Sequence, residues 1–199
     1  MAHGKKLYSV YESYRIFYKG LFTIRYMFKS KKKKELSPQF IERIMLAVTE
    51  VNNCAVCSYV HTKMALEKGM GDDEIRKILA GVMDDVPSDE VAAVMFAQHY
   101  ADTGGNPAIE SWQCIVETYG MSKAKGILGT ICTIMLGNTY GIVWSSLFNR
   151  LRGKPDQRSN LLYEVSMIIT GIIFLPIAFT HAIISVLLGM PVITFLKDT

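Results

Sequence analysis

Residues 37–70 read SPQFIERIMLAVTEVNNCAVCSYVHTKMALEKGM, from Ser37 to Met70. Ser37-Pro38 is a helix start: Ser caps, and Pro at the first helical position loses no hydrogen bond. From Phe40, the residues Ile41, Ile44, Met45, Val48 and Val51 recur at helical period. Asn52-Asn53 breaks the run. A second helix is expected from about Cys54 to Lys68, with Gly69 as its C-terminal stop. Two apolar-faced helices joined by a tight turn form a helical hairpin. Cys54, Cys57 and His61 fall at i, i+3 and i+7, on one helix face. They lie at the helix's N-terminal end, where the dipole stabilises a thiolate. The spacing lets the second cysteine close a disulfide on the first, with a histidine one turn on to carry a proton near neutral pH.

Glu42 joins this group through the hairpin. On one continuous helix it would stand ~18 Å from Cys54, at 1.5 Å per residue. With the chain reversing at Asn52-Asn53, Glu42 lies about ten residues before the turn and His61 about eight after it, nearly level. A carboxylate facing an imidazole fixes its tautomer and raises its basicity. Glu50, close to the turn, is the rival. Zinc is the competing use of these ligands, with Glu42, Glu50 or His99 as a fourth beside Cys54, Cys57 and His61.

The flanking sequence is helical throughout. An N-terminal helix is expected over 5–30, with the lysine run Lys31–Lys34 as a hinge. Asp72-Asp73-Glu74 opens a short helix that ends in Arg76-Lys77, as the helix dipole favours. Further helices are read over Ser88–Tyr100, with Ser88 as cap, then Ala108–Glu117 and Ser122–Leu147. Thr103–Pro107 is a loop. No stretch alternates with period two, so the class is all-α. Cys114 and Cys132 are expected as buried core thiols, with Met45, Met64, Met95 and Met135 as core fillers and His99 as a satisfied helix-end residue. Gly104-Gly105 is a turn, since no Lys-Ser/Thr follows to make a phosphate loop.

Both ends of the chain differ from its middle. Half of the 199 residues are apolar, a fifth are charged, and the mean hydropathy is +0.20, which excludes a disordered chain. Four cysteines do not make a disulfide scaffold at this length. Residues 1–36 hold ten Lys or Arg, among them Lys5, Arg15, Lys19 and Arg25, against two Glu, so the remainder of the +4 chain is acidic. Tyr8, Tyr11, Tyr14, Phe17, Tyr18, Phe22, Tyr26 and Phe28 are interleaved with the basic residues. Such a helix packs its aromatics on the protein, meets anionic lipid, or touches nucleic acid. Residues 165–196 contain no Lys, Arg, Asp or Glu, enough to span a hydrocarbon core of ~30 Å. Pro176, Gly189 and Pro191 interrupt them. The stretch is either a membrane anchor or kinked span, or two short helices buried at an oligomer interface. Arg150, Arg152, Lys154 and Arg158 precede it and only Lys197 follows, so a span would leave the cysteine-bearing region in the cytoplasm.

Glu42, eleven residues, then Cys54-x-x-Cys57-x-x-x-His61 resembles the alkylhydroperoxidase D-like, or carboxymuconolactone decarboxylase-like, family, over about residues 37–145. The resemblance implies an all-α helical bundle that forms homo-oligomers. Here the bundle gains an N-terminal basic helix (1–36) before the domain (37–150) and an apolar C-terminal extension (151–199). It implies thiol-dependent reduction of a hydroperoxide, with Cys57 as the peroxide-reactive thiol, Cys54 as the resolving thiol, and His61 and Glu42 as the proton relay. The redox group is the Cys54/Cys57 dithiol itself, without a bound cofactor or metal. A lipoyl-type or thioredoxin-like dithiol restores it, and no nucleic acid takes part. Val56 stands where typical alkylhydroperoxidases carry a histidine before the second cysteine, which leaves a general dithiol oxidoreductase. The decarboxylase branch typically lacks the cysteine pair, which argues against decarboxylation. The alternative is a membrane-docked redox sensor or interaction module without turnover.

Overall fold

A computed structural model describes residues 6–190 together with Ile193 and Phe195; Lys5, Pro191 and Lys197 lie outside the described residues. Among these the fold is all-helical: α1 (Val10–Lys32), α2 (Pro38–Asn52), α3 (Ala55–Glu67), α4 (Asp72–Leu79), α5 (Val91–Asp102), α6 (Ile109–Leu151) and α7 (Leu161–Leu187).

Ser37 caps α2 by accepting from the Phe40 N–H, as its sequence predicts. Asn53 ends α2 in the left-handed conformation (φ 51°, ψ 50°), which asparagine tolerates better than most residues. That single residue turns the chain back, and Cys54 caps α3. The hairpin is antiparallel: Gln39 Nε2 donates to the Lys68 carbonyl at 2.8 Å across it.

Three expected helix boundaries need correction. The first helix starts at Val10, because Ser9 and Glu12 form a reciprocal capping box, and it runs on through Lys31 and Lys32; only the end of the lysine run is the bend. The fifth helix starts at Val91 with Glu90 as its cap residue, not Ser88, since residues 87–90 form a turn first. The break expected between residues 117 and 122 sits at Gly120 (φ 71°, ψ 153°), but the second segment extends to Leu151. Of the two readings of the apolar C-terminal stretch, the structure has one helix through Pro176 and not two short ones.

The core gathers Phe40, Ile44 and Leu46 of α2, Tyr100 of α5, and Trp112, Ile127, Leu128 and Ile131 of α6. Of the methionines, Met45 and Met135 are buried, while Met64 and Met95 are exposed. Cys132 is buried, but Cys114 is exposed on α6. His99 ends α5 with its Nε2 buried and without a hydrogen-bond partner, so it is not the satisfied residue expected.

α1 runs antiparallel along α6. A side chain at Gly129 would meet the Thr23 carbonyl at 2.7 Å, so the two backbones touch. Phe17 and Phe22 are buried in the packing of α1, while Tyr11 and Phe28 stay exposed. α7 packs against both α1 and α6. Tyr14 Oη is 2.9 Å from His181 Nδ1, and Tyr18 Oη is 2.6 Å from Ser185 Oγ. Arg150 at the end of α6 forms a two-pronged pair with the fully buried Glu164 (2.8 and 2.9 Å). Both α6 and α7 are long and apolar enough to cross a membrane; 72% of the apolar window of α6 is inside the protein, but only 17% of that of α7.

Candidate functional site

The α2–α3 hairpin brings Glu42 and His61 together. His61 Nδ1 lies 2.8 Å from Glu42 Oε2, and the carboxylate is completely buried. Its other oxygen accepts from Lys68 Nζ. Burial pushes the Glu42 carboxyl up, but hydrogen bonds from His61 and Lys68 outweigh it and hold it below the ordinary carboxylate value of 4.5. A buried carboxylate kept ionised beside an imidazole orients the ring and leaves Nε2 as the nitrogen free to exchange a proton. Lys68 was not among the residues singled out from sequence. Its signal was available, since it lies seven residues beyond His61 and so on the same helix face.

Cys54 and Cys57 are bonded to one another at the start of α3, with Cα atoms 5.3 Å apart. The sulfurs rest against α6. Cys57 Sγ lies 3.6 Å from the Gly137 carbonyl oxygen, a contact that is a donor's once the thiol is reduced. A side chain on Gly141 would meet Cys57 Sγ at 2.6 Å and Cys54 Sγ at 2.8 Å. Glycine is therefore required at 141 for the dithiol to seat against α6. No local motif signals this, because residue 141 is more than eighty positions away.

A groove of about 670 Å³ opens beside Cys54, lined among others by Glu50, Ser58, Tyr59, Lys63 and Leu66. Glu50 therefore does not face His61; it accepts from Gln98 Nε2 (3.4 Å) at the groove. His99 is on α5 and takes no part in the hairpin. Among the described residues no cluster of three or more His, Cys, Asp or Glu is arranged to hold a metal ion.

The arrangement joins a dithiol/disulfide pair at a helix N-terminus to a carboxylate-oriented imidazole one turn on. Such a set can deliver a thiolate to an electrophile, return a proton to the leaving group, and close a disulfide. No curated protein and no solved structure matches the chain. Residues 20–102 match the profile of the carboxymuconolactone decarboxylase family, so the match begins inside α1, earlier than the resemblance read from sequence. Glu42, Cys54, Cys57, His61 and Lys68 all lie within this match to the carboxymuconolactone decarboxylase family, which includes the alkylhydroperoxidase D-like proteins.

Proposed function

We propose that the protein is a dithiol oxidoreductase that reduces hydroperoxides. The observation that carries this is the pairing of Glu42 with His61 one turn beyond the bonded cysteines. In the reduced enzyme the Cys57 thiolate attacks the terminal peroxide oxygen. The O–O bond breaks, Cys57 becomes a sulfenic acid, and the alkoxide leaves as an alcohol with a proton from His61. Cys54 then attacks the sulfenic sulfur, water departs, and the disulfide forms. An external dithiol of lipoyl or thioredoxin-like type reduces it again. Val56, Tyr59, Val60 and Met64 give α3 an exposed apolar side around the dithiol, which supports docking of that reductant or assembly into a homo-oligomer. The test is consumption of hydroperoxide with a dithiol by wild type and by Cys57→Ser. Turnover by the wild type alone supports the reading; equal rates contradict it.

The exposed side of α7 supports attachment to a membrane. Leu162, Ile169, Ile172, Ile177, Ile184 and Leu187 point outward, and no charged residue interrupts the helix after Glu164. Neighbouring contacts favour a helix lying in the membrane plane over one that crosses it. Tyr14 and Tyr18 of α1 touch His181, while Arg15 and Lys19 on the same turns bond Asn106 and the Gly105 carbonyl. A spanning α7 would draw those cations and that loop into hydrocarbon, where charge and irregular backbone are costly. Lying flat, α7 instead sets basic side chains at headgroup level at both ends. Arg152 and Lys154 are exposed before its start, and Arg25 lines the cleft with Phe179 and Leu187 near its end. The anionic cytoplasmic leaflet matches that charge, which supports a dithiol on the cytoplasmic side.

A further inference from the structure

The apolar surface of α7 and the dithiol are joined by a stripe of α6. Gly137 and Gly141 carry the cysteine pair on one face of this helix. Tyr140 faces α7, since a side chain on Gly171 would meet its ring at 2.5 Å. At 3.6 residues per turn, Trp144 falls between these two directions, ~60° from Gly141 and ~40° from Tyr140. Trp144 is 44% exposed and stacks on Phe148, 52% exposed, with ring centroids 5.9 Å apart. Two large aromatic rings held side by side in solvent are not explained by the core, which neither enters. Leu151, on the same side of α6, and Leu162, two residues before the Glu164 that Arg150 holds, are exposed as well, and Val56, which packs against Gly141, extends the apolar surface beside Cys57.

We propose that the substrate class is the hydroperoxide of a membrane-resident acyl chain, presented to the dithiol along the stripe from α7 through Trp144 and Phe148. This rests on the peroxidase reading and on the flat seating of α7. An oxidised chain carries its hydroperoxyl group partway along its length, and the polar group drives that segment toward the interface. The stripe offers the chain an apolar bed outside the bilayer, and the site meets the O–O bond at its end. The chemistry balances. Two thiols are oxidised to one disulfide, the hydroperoxide is reduced to a hydroxyl on the same chain, one water leaves, and the external dithiol supplies the two electrons for the next cycle.

The test uses the full chain bound to phosphatidylcholine–phosphatidylglycerol vesicles, with dithiothreitol as reductant. One substrate is a phosphatidylcholine hydroperoxide in the vesicles; the other is tert-butyl hydroperoxide in solution. The expected result is faster reduction of the lipid hydroperoxide, with the ratio of the two rates falling roughly tenfold in Trp144→Ser and in Phe148→Ser, the loss of one buried aromatic contact. Both positions are half exposed, so the variants are expected to fold. Turnover of tert-butyl hydroperoxide without the lipid substrate, or a rate ratio unchanged in both variants, overturns the inference and leaves the peroxidase reading standing. Failure to reduce either substrate overturns both.

Discussion

The α2–α3 hairpin buries a full carboxylate and supplies its partners from within: His61 on one oxygen, Lys68 on the other, both from α3 and its C-terminal cap. α7 buries one carboxylate too, Glu164, and pairs it with Arg150, but beyond that turn it carries an apolar surface that the other described residues do not cover. The hairpin's buried carboxylate is satisfied within the hairpin; among the described residues the outer side of α7 is left uncovered. The difference assigns the two regions different work. Polar groups held in fixed geometry at the hairpin suit proton and electron transfer, and an uncovered apolar ridge suits attachment.

The largest expected effect separates the regions outright. Cys57→Ser should reduce dithiol-dependent hydroperoxide turnover to the buffer background while leaving vesicle binding as it is. Cys54→Ser should instead trap one sulfenic acid per chain, detected by a dimedone-type label. Label on Cys54 in Cys57→Ser, with none in the converse variant, would reverse the two roles.

Next in size is the relay. His61→Ala should slow thiol oxidation by ~10²–10⁴-fold, the usual contribution of a positioned base, and move its pH profile up toward a free thiol's ~8.5. Glu42→Gln should give a smaller loss with the same direction of shift. Glu50→Gln, whose carboxylate faces Gln98 and the groove, should change little. Damage from Glu50→Gln with a silent Glu42→Gln would break the account of the hairpin.

For α7 the matching experiment is a charge on its outer side. Ile172→Asp should weaken binding to anionic vesicles roughly ten- to hundredfold, from the ~1.5–3 kcal/mol of burying an isoleucine side chain that it removes, and leave the turnover of a water-soluble hydroperoxide alone. Vesicle flotation that ignores the substitution would remove the distinction between the two regions.

The smallest effect concerns stability. Glu42 titrates below its ordinary value in the folded state, so folding is favoured by its ionised form. That stabilisation is complete above about pH 4.5 and is lost as pH falls through the depressed value. Glu42→Gln should lower stability near neutral pH by about 1–3 kcal/mol and flatten the acid side of the stability curve. Urea melts at pH 7 and pH 3.5 measure both; a variant that loses more stability in acid than the wild type would contradict the pairing.

What the sequence revealed divides along the same line. Ser37-Pro38, Asn52-Asn53 and the level spacing of Glu42 and His61 are local signals, and the structure follows them. Ser88 misled because Glu90, two residues on, caps the helix instead, with the turn at 87–90 intervening. Cys114 misled because Trp112 and Ile115 take the core side of this part of α6 and leave Cys114 on the outer side. Gly141 was illegible, since only the tertiary approach of α3 shows why a methyl cannot stand there. The charge-free stretch after residue 164 signalled an apolar helix, but not its packing along α1, which comes from tyrosines more than 150 residues earlier.

The central claim is that Cys54 and Cys57 are a working dithiol. Thiol titration of the reduced full chain, before and after one equivalent of hydroperoxide, tests it most directly. The account predicts four thiols falling to two with one hydroperoxide consumed, and no such loss of a pair in Cys57→Ser. Retention of all four thiols, under peroxide that fully oxidises a control dithiol, would contradict it.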